Sequence, residues 1–291
     1  MATRSILLVL ALVATACTSA PPTTTPTADP TPLPSPTVPG EGFYLRASVT
    51  QALPPHASVN RTPMLTIADG TLLDGNVAVP AVFPSPLMIL PTARWISDAG
   101  SVAILDQAAR LGLLGPESDF SGEAMPGART GHVVLILDGD RRELAGNPDL
   151  VMHCLTDPCE PAPGSPEAFA AFWQALSDVS VWLEGELGAQ MPYTPERLAI
   201  LLTAEMPQDG GPGMGLRPVD WPLGQPMADS GTAFPGLDGD RCVTIEGEDL
   251  EALLPVLRTG SQLTVFVDAA DNVRAPIVRL LVPGGESPCQ S

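Results

Sequence analysis

Few residues of this chain have types and spacing that could do chemistry. Its three histidines are His56, His132 and His153. None belongs to a His-Glu-x-x-His pattern or a paired Cys-His cluster of the kind that holds a transition metal. His153 adjoins Cys154, with Cys159 close by, but the Cys-x-x-Cys spacing and a fourth ligand are missing. All 14 basic residues are arginine. The absence of lysine excludes P-loop, Schiff-base and Ser-x-x-Lys chemistry. Against them stand 33 acids, so carboxylate pairs arise by chance. Glu184 with Glu186 and Glu246 with Glu248 read as solvated turn and helix-end charges rather than a glycosidase pair. Two acidic turns, Asp138-Gly139-Asp140 and Asp238-Gly239-Asp240, offer weak candidate ligands for calcium (Asp138, Asp140, Asp238 and Asp240). Neither continues into the EF-hand spacing with its distal Glu. No catalytic residue and no cofactor is assigned on these grounds.

A serine hydrolase would need a Gly-x-Ser-x-Gly elbow, which is missing. Asp229-Ser230-Gly231 lacks the flanking glycines of a protease nucleophile segment, and no histidine stands upstream in a recognisable context. The net charge of −19 argues against nucleic acid, whose phosphates need a basic surface. Apart from Cys17, the cysteines are Cys154, Cys159, Cys242 and Cys289. An even set in an exported chain predicts two disulfides, here Cys154–Cys159 across a turn and Cys242–Cys289 tying down the C-terminal tail.

The elements around these residues read as α+β, with helices packed on antiparallel sheet. FYLRASVTQ (43–51) alternates like a strand, and 64–75 reads as two strands turning at Asp69-Gly70. Four prolines between 79 and 92 bar a central strand or helix there. Ser97 is a helix cap ahead of Ile104, Leu105, Ala108 and Leu111, with Gly112 or Gly115 closing the helix. HVVLIL (132–137) is a buried strand that turns at Asp138. A second helix starts at Ser165-Pro166-Glu167 and carries Phe169, Phe172, Trp173 and Leu176 on one face, a core stripe. RLAILL (197–202) is another buried strand. Residues 247–258 form a helix that Pro255 should bend or shorten. Strands 262–267 and 273–282 pair across Asp268–Asn272. The order of elements outlines two similar α+β halves, 41–160 and 161–291. The repeated Leu-Asp-Gly-Asp-Arg at 137–141 and 237–241 falls at non-equivalent places and reflects turn chemistry.

The N-terminus reads as an address. Arg4 precedes an apolar run from Ile6 to Ala14, too short for a bilayer that needs roughly 20 residues. The run ends in Ala14-Thr15-Ala16-Cys17, which resembles the lipobox of bacterial lipoproteins. That resemblance implies a signal peptide over 1–16 and lipid attachment at Cys17. Residues 17–40 are then a Pro/Thr-rich disordered tether, semi-stiff at about 3.1 Å per residue and able to reach roughly 70 Å. Loss of Arg4 with the leader makes the exported chain more negative still.

Pro63–Gly70, Ile96–Gly100 and Trp221-Pro222 are similar to segments of uncharacterised secreted lipoproteins of high-GC bacteria, a group with no activity to carry over. The expectation is a lipoprotein on the extracytoplasmic face of the cell membrane, a non-enzymatic binding or structural domain. The membrane is its partner through the lipid, and an envelope protein, wall polymer or divalent cation is its ligand. The competing expectation is an extracytoplasmic hydrolase with an unidentified carboxylate pair. The stretch from Pro207 to Gly236, with no periodicity, is expected to line the binding face through Trp221 and Phe234. Its alternative role is a cover packed over the sheet.

Overall fold

Strand β1 (Tyr44–Thr50) turns Leu45 and Ala47 inward, while Tyr44, Arg46 and Ser48 take the opposite face. The computed structural model to which it belongs describes residues 42–51, 62–76, 82–122, 127–150, 160–207 and 215–290. β2 (Leu65–Ala68) and β3 (Thr71–Asp74) form the expected hairpin. Asp69 and Gly70 both have positive φ, 49° and 69°, as a two-residue turn that follows strand twist requires. β4 (Thr92–Trp95) extends this meander.

Helix α1 (Asp98–Arg110) begins where the sequence places it, with the Ser97 hydroxyl accepting from the Gly100 N–H at 3.0 Å. It ends on Gly112, φ 70°. The Gly112 N–H donates to the Ala109 carbonyl and the Leu113 N–H to the Ala108 carbonyl, the paired bonds of a Schellman close. β5 (Asp119–Phe120), β6 (Thr130–Leu137) and β7 (Asp140–Gly146) follow. Next come α2 (Pro166–Ser177), the single turn α3 (Val179–Trp182) and β8 (Met191–Pro192). The first sheet runs β5-β7-β6-β1-β2-β3-β4-β8, and only the β5–β7 pair is parallel.

The second sheet is built from β9 (Arg197–Thr203), β10 (Arg217–Asp220), β11 (Thr232–Ala233), β12 (Arg241–Glu246), β13 (Thr264–Val267) and β14 (Val273–Leu280), with helix α4 (Gly247–Thr259) between β12 and β13. Its order is β10-β13-β14-β9-β12-β11, again with one parallel edge pair, β10–β13. The class is α+β. In both sheets the parallel edge leads through a hairpin to a central strand that is antiparallel to both neighbours. The hairpins are mounted differently: β6, the leading strand, docks on β1, whereas β14, the trailing strand, docks on β9.

Each sheet has its own core. On the first, α1 and α2 bury Ile104, Leu105, Ala108, Phe169, Phe172 and Trp173 against Leu45, Leu65, Val133 and Leu144. The helix at 166–177 thus packs on the first sheet, although a division at residue 160 assigns it to the second half. Its Phe/Trp stripe needs a broad apolar face, and the β1–β7 strands supply one. On the second sheet, α4 packs Leu250, Leu253 and Leu257 onto Leu198, Ile200, Val243 and Val278. Pro255 does not shorten α4, which runs on to Thr259. Pro255 and Glu251 are both exposed, so the carbonyl left without an N–H partner faces water.

Two crossings join the sheets. Residues 82–90, barred from regular structure by proline, reach from the first sheet into the second core through Leu87, Met88 and Leu90. The Leu87 N–H donates to the Gly260 carbonyl at 3.0 Å and the Gln262 N–H to the Ser85 carbonyl at 2.8 Å. In return Val282, just past β14, packs with Leu73, Ala93 and Tyr193 on the outer face of the first sheet. Among the described residues, no helix is long and apolar enough to cross a membrane.

Asp268 organises the β13–β14 turn. Its carboxylate accepts from the Ala270 and Asn272 N–H groups, the Asn272 amide and the Met227 N–H, all at 3.0–3.1 Å. These donors, the Asn272 side chain first, hold its carboxyl below the usual carboxylate range. A lowered folded-state value means stability that is present above the ordinary carboxylate range and lost as pH falls through the lowered value. Asp268→Asn should therefore be less stable than wild type at neutral pH. The gap should close on acidification, which paired urea titrations at pH 7 and pH 3 will read.

Candidate functional site

Most residues singled out from the sequence are committed to structure. The Ser230 hydroxyl is buried and donates to the Pro226 carbonyl at 3.0 Å, so its proton is committed to the backbone and not to a general base. Glu186 receives the Ser97 hydroxyl beside the α1 cap. Glu246 faces Arg197 at 3.4 Å. His132 shares a 2.8 Å hydrogen bond with Thr50, and burial pushes its imidazole below the usual histidine range. His56, His153, Cys154, Cys159 and Cys17 lie outside the described residues, and so does the pairing expected for Cys154 with Cys159.

The four acidic-turn residues are not brought together. Asp138 is at φ 51° in an exposed turn. Asp140 lines a hollow with Glu117, Glu143, Arg141 and Arg142, in which Arg141 pairs with Glu143. Asp238 is exposed. Asp240 is buried and accepts the Ala204 N–H at 3.0 Å, bracing the end of β9. No group of three or more potential metal ligands occurs among the described residues.

Trp221 and Phe234 also pack inward. Trp221 is 7% exposed, meets Phe266 edge-on with ring centres 5.1 Å apart, and donates its indole N–H to the Gln225 carbonyl at 3.1 Å. Phe234 packs with Leu201, Leu237 and Ile277 around Cys242 and Cys289, which are disulfide-bonded as expected. Both rings thus belong to the cover over the second sheet. The cost of leaving them in water, legible in the sequence, is met by the core rather than by a ligand. Residues 208–214 of the same stretch lie outside the described residues.

Two clefts remain. One, of about 480 Å³, is an open and largely apolar groove between residues 85–89, Met206–Pro207 and the Ala275–Val278 part of β14. The other, of about 500 Å³, lies where the two sheets meet. Its floor joins Arg46 and Ser48 of β1 to Arg279 of β14, and Glu286, Ser287 and Pro288 of the tail form a wall. Register explains the meeting. Arg46 stands opposite Thr66 on the face of the first sheet away from its helices. Arg279 stands opposite Ala199, which in turn stands opposite Thr244 on β12. Thr244 and Ser287 share a 2.6 Å hydrogen bond, which seats the tail wall on the second sheet.

Arg279 is the most perturbed cation of the cleft. Burial, and then the charge of Arg46, push its guanidinium below the ordinary arginine range. Beside Arg46, the buried Thr66 hydroxyl makes no hydrogen bond, and the Tyr44 phenol lies against the guanidinium. Burial raises the Tyr44 phenol, with Arg46 and Arg141 pulling it back. Sequence reading passed over both arginines because Arg46 occupies the polar phase of an alternating strand, the pattern of an ordinary solvent face, and Arg279 is a lone cation in the apolar run Ala275–Leu280 of β14. Comparison of the chain with family models, with curated proteins and with solved structures finds no match.

Proposed function

We propose that the chain is an extracytoplasmic, lipid-anchored domain of the cell envelope that binds rather than catalyses, and that the cleft between its two sheets holds the ligand. The observation that carries this reading is the Arg46–Arg279 pair. Two like charges sit together, half-buried, in a chain of net charge −19 with acids to spare. Such an arrangement weakens the free fold unless something else gains from it. The leader-like run ending at Cys17 and the Pro/Thr tract that follows support the placement. A semi-stiff spacer suits an acidic domain, which anionic lipid surfaces repel at short range.

Lipid labelling in a bacterial host tests the anchor. Cys17 is expected to incorporate labelled acyl chains. Cys17→Ser should abolish the label and either release the domain or leave an uncleaved precursor. A wild-type chain that never takes up label would overturn the anchoring.

A further inference from the structure

We infer that the cleft between the sheets is an oxyanion site, which takes a small ligand by one carboxylate or phosphate head held between the guanidiniums of Arg46 and Arg279. This rests on the reading of the domain as a ligand binder and names the chemistry that it recognises.

The first support is the pattern of pairing. Among the described residues Arg129, Arg141 and Arg197 each face a carboxylate, Asp149, Glu143 and Glu246 respectively. Arg142 and Arg241 donate to backbone carbonyls. Arg46 and Arg279, like the half-buried Arg94, form no ion pair among the described residues, but these two share one cleft and face one another's charge. A half-buried guanidinium is a planar fork of donors matched to carboxylate and phosphate oxygens. Two of them on one cleft supply the donors for an oxyanion.

The second support is independent of charge. The Tyr44 and Thr66 hydroxyls flank Arg46 on the same sheet face, Thr66 directly opposite it in register and Tyr44 two residues before it. The Thr66 hydroxyl is buried without a partner, whereas the Tyr44 hydroxyl lies against the Arg46 guanidinium. Buried orphan polar atoms are rare in native folds and call for an explanation by water, an ion or a ligand. The Ser48 and Ser287 hydroxyls add further polar lining.

The surroundings limit the ligand. A volume of about 500 Å³ suits a small organic molecule better than a bare ion. Glu286 on the wall and the charge of the whole chain disfavour a polyanion. A single anionic head on an otherwise neutral body fits best.

The test uses the full chain in detergent, with acetate and inorganic phosphate as probes and chloride at matched ionic strength as reference. Calorimetric titration and thermal melts are read together. One oxyanion is expected to raise the melting temperature above chloride, with its affinity weakened at least tenfold in Arg46→Gln and in Arg279→Gln. Arg258→Gln, on the exposed side of α4, should bind as wild type does. Without probe, Arg279→Gln should melt no lower than wild type, because removing a like charge offsets the lost packing. A purely structural arginine would lower it. A response to acetate alone assigns a carboxylate head, and a response to phosphate alone assigns a phosphate head.

Equal binding by all variants, or no binding by either probe, overturns the inference. Retention on isolated cell envelopes of the Cys17→Ser chain, which has no lipid of its own, is measured alongside. Retention without oxyanion binding sinks the ligand class and leaves the binding-domain reading standing, whereas loss of both sinks the two together.

Discussion

Replacing Phe169 with alanine is expected to remove about 4 kcal/mol of stability, through lost transfer free energy and the cavity left behind. Phe169 is fully buried at the centre of the first core. Its ring stacks on Phe120 with centres 6.0 Å apart and on Trp173 at 6.2 Å. The sheet beneath is shaped around it: a Cβ on Gly146 would come within 2.4 Å of the ring, and one on Gly131 within 3.3 Å of it and 2.9 Å of Trp173. Phe169 and its two glycines act as one unit, a large ring fitted into a gap that only absent side chains leave. The ring is large, fully buried and stacked on two others, so the cost falls in the upper part of the usual range. For a chain of this size the melting temperature should drop by on the order of 10 °C. Phe169→Leu should recover more than half of the loss. Thermal and urea unfolding measure both, and a loss below about 1.5 kcal/mol for the alanine variant would mean that the core relaxes around the gap.

Some of that unit is legible in the amino-acid sequence. The Phe/Trp stripe at helical spacing, the Ser97 and Ser165 caps and the Asp69-Gly70 hairpin all follow from short-range rules, and each is where those rules put it. Such features are encoded within about one turn of chain. The partner of the stripe is not legible, because the choice between two apolar sheets depends on which strands assemble next to α2. The 82–90 arm shows the same limit: its prolines forbid regular structure, but nothing local says that Leu87 and Met88 fill the core of the other sheet. Pro255 shows a local rule whose outcome depends on context: the helix is not shortened, since the carbonyl that it orphans faces solvent.

The cleft lies beyond sequence reading for a related reason. Arg46 and Arg279 come from opposite ends of the chain, the first in the polar phase of β1 and the second among the apolar residues of β14. Only the pairing order that brings β1 and β14 to one junction turns two unremarkable positions into a two-cation floor. Trp221 misleads in the converse way. An aromatic residue in a non-periodic stretch must be buried somewhere, and the parallel pairing of β10 with β13 carries it onto Phe266.

Removing the Cys242–Cys289 bond, as the double alanine variant, is expected to destabilise the fold by about 4 kcal/mol on the loop-entropy estimate. The two residues are 47 apart in sequence, and Cys242 is fully buried within β12. The bond closes a loop that includes α4 and the β13–β14 hairpin, most of the second core. The effect should therefore appear in global unfolding rather than as fraying of the C-terminus. It should also reach the cleft. Ser287 and Pro288 immediately precede Cys289, and the bonds that tie this stretch to β12 and β11 include the Thr244–Ser287 contact and the Thr232 hydroxyl donating to the Cys289 carbonyl at 2.9 Å. Neutral hydrogen bonds of that kind contribute about 1 kcal/mol each, too little to hold the wall once the covalent tie is gone. The double variant should thus show faster amide exchange at residues 284–289 under native conditions. The exchange of β1 on the opposite side of the cleft should change far less, because the β2 and β6 ladders secure it. Substitution rather than a reductant makes the experiment specific, since a reductant would also act on any bond between Cys154 and Cys159. If the variant keeps wild-type stability and the tail exchanges no faster, the tail is held by its packing, and the wall of the cleft does not depend on the bond.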